Sequence, residues 1–179
     1  MPVGGKPGSM ELSGERTGIG RPSREGWRRY GVAAAAVTAT AVTGARAVDA
    51  DSAWYAALRK PSWQPPPWAF GAVWTPLYAS IAWAAGHALG RTTTRRERTA
   101  LAASLAVNLS LNAGWNWLFF ARRSPVAGLA DTLLLDLSNA DLLRRTGRTD
   151  RAAARALIPY AAWCAFATAL NASIARRNT

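Results

Sequence analysis

The chain alternates between long uncharged runs and short arginine-rich stretches. Four runs contain no Asp, Glu, Lys or Arg, and a fifth carries three aspartates. Most have roughly the 20 residues that cross a bilayer as a helix, and they are too rich in alanine and leucine for strands. The pattern therefore predicts an all-α integral membrane protein, a five-transmembrane-helix bundle. The predicted spans are about 30–46, 68–90, 99–121, 124–143 and 156–176.

The N-terminal region precedes a predicted membrane domain at residues 27–179. Residues 1–26 are rich in glycine, proline, serine and charge, which predicts a disordered tail. Arg28 and Arg29 then precede the shortest apolar run, and Ala45-Arg46-Ala47 follows it. This run is either a signal peptide or a first transmembrane helix. We favour an uncleaved helix because four more spans follow.

A net charge of +12 has two interpretations, nucleic-acid binding or basic flanks beside membrane helices. The arginines stand at the ends of apolar runs, so we expect membrane lipid as a partner and no nucleic acid. Most basic residues fall in the tail and in the second and fourth loops between spans, which predicts a cytoplasmic N-terminus and an outside C-terminus. Abundant alanine and arginine favour a bacterial plasma membrane.

The sequence offers little for metal or acid–base chemistry. Cys164 is the single cysteine and His87 the single histidine, so we expect no disulfide, metal site, required cofactor or catalytic residue. Cys164 lies in an apolar run and is interpreted as a small core residue.

Residues 54–78 form the most unusual segment. They hold four of the nine tryptophans and five of the ten prolines. Such a stretch is too aromatic for a linker and too rich in proline for a helix interior. Because it runs into an uncharged span, it predicts a ligand-binding mouth at the membrane surface.

Two series of residues at four-residue spacing, here called ladders, occupy the predicted third span. Asn108, Asn112 and Asn116 share one helix face beside Trp115, either as hydrogen bonds between helices or as the polar wall of a ligand cavity. Small residues form the second ladder, which favours close helix packing within the chain or a homodimer face. Its members are Ala106, Ser110 and Gly114.

Polar and aromatic residues also mark the last two spans. Asp131 and Asp136 in span four indicate either proton coupling or, as we favour, hydrogen bonds to an indole or an asparagine on a neighbouring helix. Pro159 is placed in the first turns of span five. Trp163 and Ala167 lie one turn apart there, either as ordinary packing or as room for a flat ligand to stack on the indole.

These motifs resemble the TspO/MBR family, the tryptophan-rich sensory proteins of bacteria and the mitochondrial translocator protein, or peripheral benzodiazepine receptor. The resemblance covers residues 54–178 and leaves the N-terminal tail outside. It is carried, in the family's order, by Trp54-Tyr55, Leu58, Lys60-Pro61-Ser62-Trp63, Pro65-Pro66, Val73-Trp74, Leu77-Tyr78, Asn112, Trp115, Trp117, Phe119-Phe120, Asp131, Pro159-Tyr160, Trp163, Phe166-Ala167 and Leu170-Asn171.

The resemblance implies a pocket for porphyrins such as protoporphyrin IX, sterols and benzodiazepine-type compounds. Trp74 and Trp163 would be its stacking residues. The animal sterol motif has a tyrosine where this chain has Ala172, which puts sterol binding in doubt. The implied pocket residues are Tyr55, Pro65, Phe70, Trp74, Asn108, Asn112, Trp115, Asp131, Trp163 and Ala167.

Three functional hypotheses follow. The first is a tetrapyrrole-binding membrane protein with a sensory, transport or stress-regulatory role. The second is an enzyme that degrades porphyrin in light, since an indole beside an excited porphyrin can be oxidised. The third is a membrane module that binds a protein partner without a ligand.

Overall fold

The computed structural model describes residues 24–178, together with the first residue. Five helices of 22 to 28 residues and one short helix make up most of this part, which contains no strand. The helices are α1 (Arg24–Ala45), α2 (Ala53–Ala57), α3 (Pro67–Arg91), α4 (Arg95–Asn116), α5 (Pro125–Thr149) and α6 (Arg151–Asn178). A π-helical turn, Trp117–Ala121, extends α4. The predicted all-α class is confirmed.

The helix ends have recognisable local causes. Pro67 and Pro125 occupy first-turn positions, where a missing N–H costs little. Thr94 and Glu97 form a reciprocal capping box at the start of α4. The Thr93 side chain and backbone donate to the Glu97 carboxylate, which lowers the pKa of Glu97.

Asp150 alone separates α5 from α6, and its carboxylate accepts the backbone N–H groups of Ala153 and Ala152 at 3.0 and 2.8 Å. These bonds, together with Arg91 and His87, lower the pKa of this buried aspartate. Arg91 lies 2.8 Å and His87 3.3 Å from Oδ2, so the junction also holds the end of α3.

Several boundaries differ from the predicted spans. Helix α1 begins at Arg24, inside the predicted tail, whose residues 2–23 lie outside the described part. Helix α6 begins at Arg151, so Pro159 lies in the helix interior and its predicted place in the first turns is wrong. The predicted spans tracked uncharged residues, whereas arginine also favours helix and continues α5 and α6 past them.

Among the described residues, α6 is the one helix long and apolar enough, by length and composition, to cross a membrane. Helix α4 begins with four charged residues, α5 carries three aspartates, and α3 is rich in tryptophan, tyrosine and proline. These side chains reduce the apolar character of the helices that contain them.

A continuous core runs through the bundle, with Ile81, Leu135 and Leu157 buried at its centre. Cys164 is 2% exposed, which confirms its interpretation as a core residue. Helix α1 packs on α3 and α4, and at Gly44 it approaches so closely that a Cβ would lie 2.7 Å from Asn116 Nδ2.

Candidate functional site

An aromatic cluster closes the end of the bundle beneath α2. Tyr55 meets Phe120 at 5.3 Å and Phe119 at 6.4 Å between ring centroids. Trp115 stacks on Phe119 at 5.1 Å. The π-helical turn carries both phenylalanines, and Phe119 is 2% exposed. The loop above is anchored because Arg59 and Asn178 exchange backbone–amide hydrogen bonds of 2.9 and 3.1 Å.

A second aromatic group joins α3 to α6. Phe70 meets Trp163 edge-on at 6.0 Å, and Trp163 lies 5.0 Å from Phe166. Trp63 from the proline-rich loop contacts Phe166 at 5.8 Å. Phe70 and Trp74 lie one turn apart on α3, which brings both to the α6 side. The loop and the two helices thus meet through indole and phenyl rings.

Trp74 connects this group to a buried polar network. It stacks on Tyr78 at 5.1 Å and meets Tyr160 edge-on at 6.1 Å. Tyr78 donates to Asn112 Oδ1 at 2.9 Å, and the Asn112 amide donates to the Tyr160 hydroxyl at 3.3 Å. Tyr160 in turn donates to Asn108 Oδ1 at 2.8 Å. The network links α3, α4 and α6.

Asn108 extends the network to a fourth helix, α5, because its amide donates to Asn139 Oδ1 at 2.8 Å. Asn108 is fully buried and Asn112 is 4% exposed. The prediction that the asparagine stripe points into the bundle is confirmed for these two residues. Asn116 faces α1, where its side chain lies against Gly44, and its amide donates to the Asn112 backbone carbonyl.

Trp115 takes part in a separate chain of hydrogen bonds. Its indole N–H donates to Asn171 Oδ1 at 3.1 Å, and the Asn171 amide donates to the Pro125 carbonyl at 2.7 Å. Gly128 faces this pair, and a Cβ there would lie 3.0 Å from Asn171 Oδ1 and 3.1 Å from the Phe119 ring. Close helix approach at Gly128 therefore fixes both the amide and the aromatic cluster.

The two aspartates differ from their expected environments. Asp136 accepts the Thr168 hydroxyl at 2.7 Å, so its partner on α6 is a threonine and the predicted indole or asparagine is wrong. Asp131 is 6% exposed, and its Oδ2 has no hydrogen-bond partner within residues 24–178. It lies opposite Gly114 on α4, where a Cβ would be 3.4 Å from Asp131 Oδ1.

The structure places the predicted pocket residues in several parts of the bundle. Phe70 and Trp163 meet between α3 and α6, and Trp74 reaches α6 through Tyr160, beside the network of Asn108 and Asn112. Tyr55 and Trp115 belong to the cluster around Phe119, and Phe70 packs against that cluster as well. Asp131 lies apart from the α3–α6 group, at the α4–α5 contact. Pro65 and Ala167 are partly buried.

The small-residue ladder does not lie on one uniform surface. Ala106 and Ser110 are exposed, and the Ser110 hydroxyl donates to the Ala106 carbonyl within the helix. Gly114 is partly buried toward Asp131. The exposed part of the predicted dimer face is thus limited to its first two members.

Three residues of the site, Tyr78, Tyr160 and Asn171, stand in the family motifs but are not among the predicted pocket residues. Asn139 on α5 was also missed as a partner of Asn108. The sequence signal was present, because a polar side chain inside an apolar run needs a partner on another helix. The pairing itself depends on which helices are neighbours.

The helical bundle, the tryptophan-rich segment 54–78 and the buried tyrosine–asparagine network define an all-helical, tryptophan-rich class of protein. The profile of the TspO/MBR family matches residues 31–177, and the chain belongs to this family, whose proteins are membrane proteins.

Its relatives include bacterial and animal proteins. Tryptophan-rich protein TspO of Chlorobaculum tepidum is 37% identical over 125 residues, 70% of this chain and 79% of that protein. The human translocator protein is 36% identical over 126 residues, 70% of this chain and 75% of that protein. Protein CrtK of Rhodobacter capsulatus is 32% identical over 149 residues, 83% of this chain and 90% of that protein.

Proposed function

We propose that this protein binds tetrapyrroles such as protoporphyrin IX, and similar flat hydrophobic ligands, in an aromatic pocket between α3 and α6. The binding would serve a sensory, transport or stress-regulatory role, with the porphyrin as ligand and no required cofactor. The observation that carries the proposal is a group of two aromatic pairs that bridge these helices, Phe70 with Trp163 and Trp74 with Tyr160.

The chemistry of this group fits a flat ligand. The rings now contact one another, and a porphyrin entering between them would exchange those contacts for stacking on its own π-surface. The network below Trp74 keeps the α3, α4 and α6 backbones in register during this exchange. Lys60 lies 3.8 Å above the Tyr55 ring at the mouth, where it offers a cation to a propionate group.

The proposed membrane arrangement has the five long helices as spans, with the N-terminus cytoplasmic and the C-terminus outside. Arginines end α3, begin α4 and end α5 at one end of the bundle, which supports this orientation. The aromatic mouth would then open at the outer surface of a bacterial plasma membrane.

The test is tryptophan-fluorescence quenching by protoporphyrin IX on detergent-purified protein, with Trp74→Ala and Trp163→Ala beside the parent. Trp27→Ala is the matched control, because Trp27 is 66% exposed on α1 and its removal also deletes one indole. We expect saturable quenching that weakens about tenfold or more in the two pocket variants. Equal affinity in all four proteins would reject the pocket.

A homodimer through the exposed Ala106 and Ser110 is a separate proposal. Ser110→Leu would block close helix approach there without touching Asp131. We expect the variant to be monomeric in cross-linking of membranes where the parent is dimeric. An unchanged cross-linked dimer would place its contact elsewhere.

A further inference from the structure

Two cavities adjoin at the arginine-rich end of the bundle. An open groove of about 640 Å³ runs between α4 and α5 and is mainly apolar. A cleft of about 370 Å³ lies between the α3–α4 connection and the end of α5. Ala100 and Arg145 line both cavities, so the groove leads directly into the cleft.

The cleft carries more positive than negative charge. It is lined by one acidic residue, Glu97, and by Arg91, Arg96, Arg145 and Arg148. The Glu97 carboxylate already accepts hydrogen bonds from the capping threonines of α4.

Two of the four guanidinium groups already have acidic partners. Arg91 lies 2.8 Å from Asp150, and Arg145 lies 2.6 Å from Asp141. Arg96 and Arg148 are exposed, and neither forms an ion pair with any residue between 24 and 178. Two cations on different helices therefore face the cleft without an acidic partner in this part of the chain.

The groove has the opposite character. Val107 is 55% exposed, Leu134 54% and Leu137 70%. Ser104 and Asp141 stand near its basic end, where the Ser104 hydroxyl donates to Asp141 at 2.8 Å. An apolar groove that opens into a cleft lined by four guanidinium groups has the polarity of an amphipathic anion with a long hydrocarbon chain.

We propose that the cleft and groove together bind an anionic phospholipid. Its phosphate would lie between Arg96 and Arg148, because guanidinium forks match phosphate oxygens. One acyl chain would lie along the α4–α5 groove. Charge complementarity and the continuity of the two cavities support this occupant, and basic pockets between membrane helices suit anionic headgroups. This site is separate from the aromatic pocket between α3 and α6.

The test uses the full chain in a zwitterionic detergent, with lipid binding followed by native mass spectrometry. Dioleoyl phosphatidylglycerol is compared with dioleoyl phosphatidylcholine, which has the same acyl chains, and with glycerol 3-phosphate, which has none. The cleft variant combines Arg96→Gln with Arg148→Gln. The groove variant is Ala103→Trp, whose indole would fill the groove from the α4 side.

The matched control combines Arg28→Gln with Arg95→Gln. It removes the same charge from exposed positions at the same end of the bundle without altering the cleft lining. Circular dichroism of every variant verifies its helix content.

We expect the parent to prefer phosphatidylglycerol. The cleft variant should bind it roughly thirtyfold more weakly, the strength of two basic contacts at an anionic membrane surface. The groove variant should also bind it more weakly, and the control should resemble the parent.

Equal losses in the cleft and control variants would overturn the site, because the attraction would then come from overall charge. Equal binding of the two lipids by the parent would overturn it as well. Binding of glycerol 3-phosphate as tight as that of the lipid, unaffected by Ala103→Trp, would indicate a free-anion site instead. If the protein dimerises and the dimer no longer binds the lipid, a second copy of the chain occupies the groove and the lipid site is overturned.

Discussion

Gly128 provides the sharpest test of how tightly the aromatic cluster is packed. A Cβ at this position would lie 3.0 Å from Asn171 Oδ1 and 3.1 Å from Phe119 Cδ2. Asn171 cannot easily yield, because it is hydrogen-bonded on one side to Trp115 and on the other to the Pro125 carbonyl. Phe119 is equally confined by the rings around it.

Gly147 is the matched position on the same helix. A Cβ there would meet Ala154 Cβ at 3.6 Å, an ordinary van der Waals contact. Gly128 lies in the first turn of α5 and Gly147 in its last turn, so alanine gains at most about 0.5–1 kcal/mol of helix propensity at either site. Overpacking costs about 1–3 kcal/mol at Gly128 alone. The gain in helix propensity is similar at the two sites and cancels when the variants are compared. Gly128→Ala should therefore be less stable than Gly147→Ala by about 1–3 kcal/mol.

Thermal unfolding in one detergent, followed by near-ultraviolet circular dichroism, measures this difference. For a chain of this size 1 kcal/mol moves the midpoint by about 2–4 °C. We expect Gly147→Ala to unfold above the parent and Gly128→Ala below Gly147→Ala by at least that interval. If the two variants unfold together, the cluster has room for a methyl group and the reasoning fails.

Two further predictions concern polar groups. Tyr160→Phe should destabilise the protein by about 1–3 kcal/mol, because Asn108 and Asn112 each lose a buried partner. Its control, Tyr55→Phe, loses one half-exposed hydrogen bond from Gln64, and an equal shift in midpoint would contradict the network. Asp150 has a lowered pKa, so its stabilising charge is fully present above about pH 4 and is lost as the pH falls through the folded pKa. Asp150→Asn should therefore be less stable than the parent at neutral pH, and the gap should close in acid denaturation scans; a constant gap down to about pH 2 would refute this.

The sequence predicted the helices because arginines interrupt the apolar runs so regularly. The sequence did not predict that α5 ends and α6 begins at Asp150. This single residue caps α6, and arginines extend α5 beyond its apolar part. The π-helical turn at Trp117–Ala121 left no comparable signal, because its register depends on how Phe119 and Phe120 pack.

At the site, helical spacing predicted the inward direction of Asn108 and Asn112, and their burial confirms it. It did not predict that Tyr160 would connect them, since that requires knowing that α6 faces α4. Asp136 shows the same limit, because spacing along α5 cannot reveal the threonine one helix away.

The single-residue junction at Asp150 has a consequence for the order of assembly. Two helices joined without a loop lose little chain entropy when they meet, so the α5–α6 pair is the easiest to form. Helix α1 has the opposite situation, because it packs on α3 and α4, which leave the ribosome after it. In the proposed membrane arrangement, the N-terminal helix stays in the bilayer without its final neighbours until they arrive, and its contact at Gly44 closes only after most of α4 has been made.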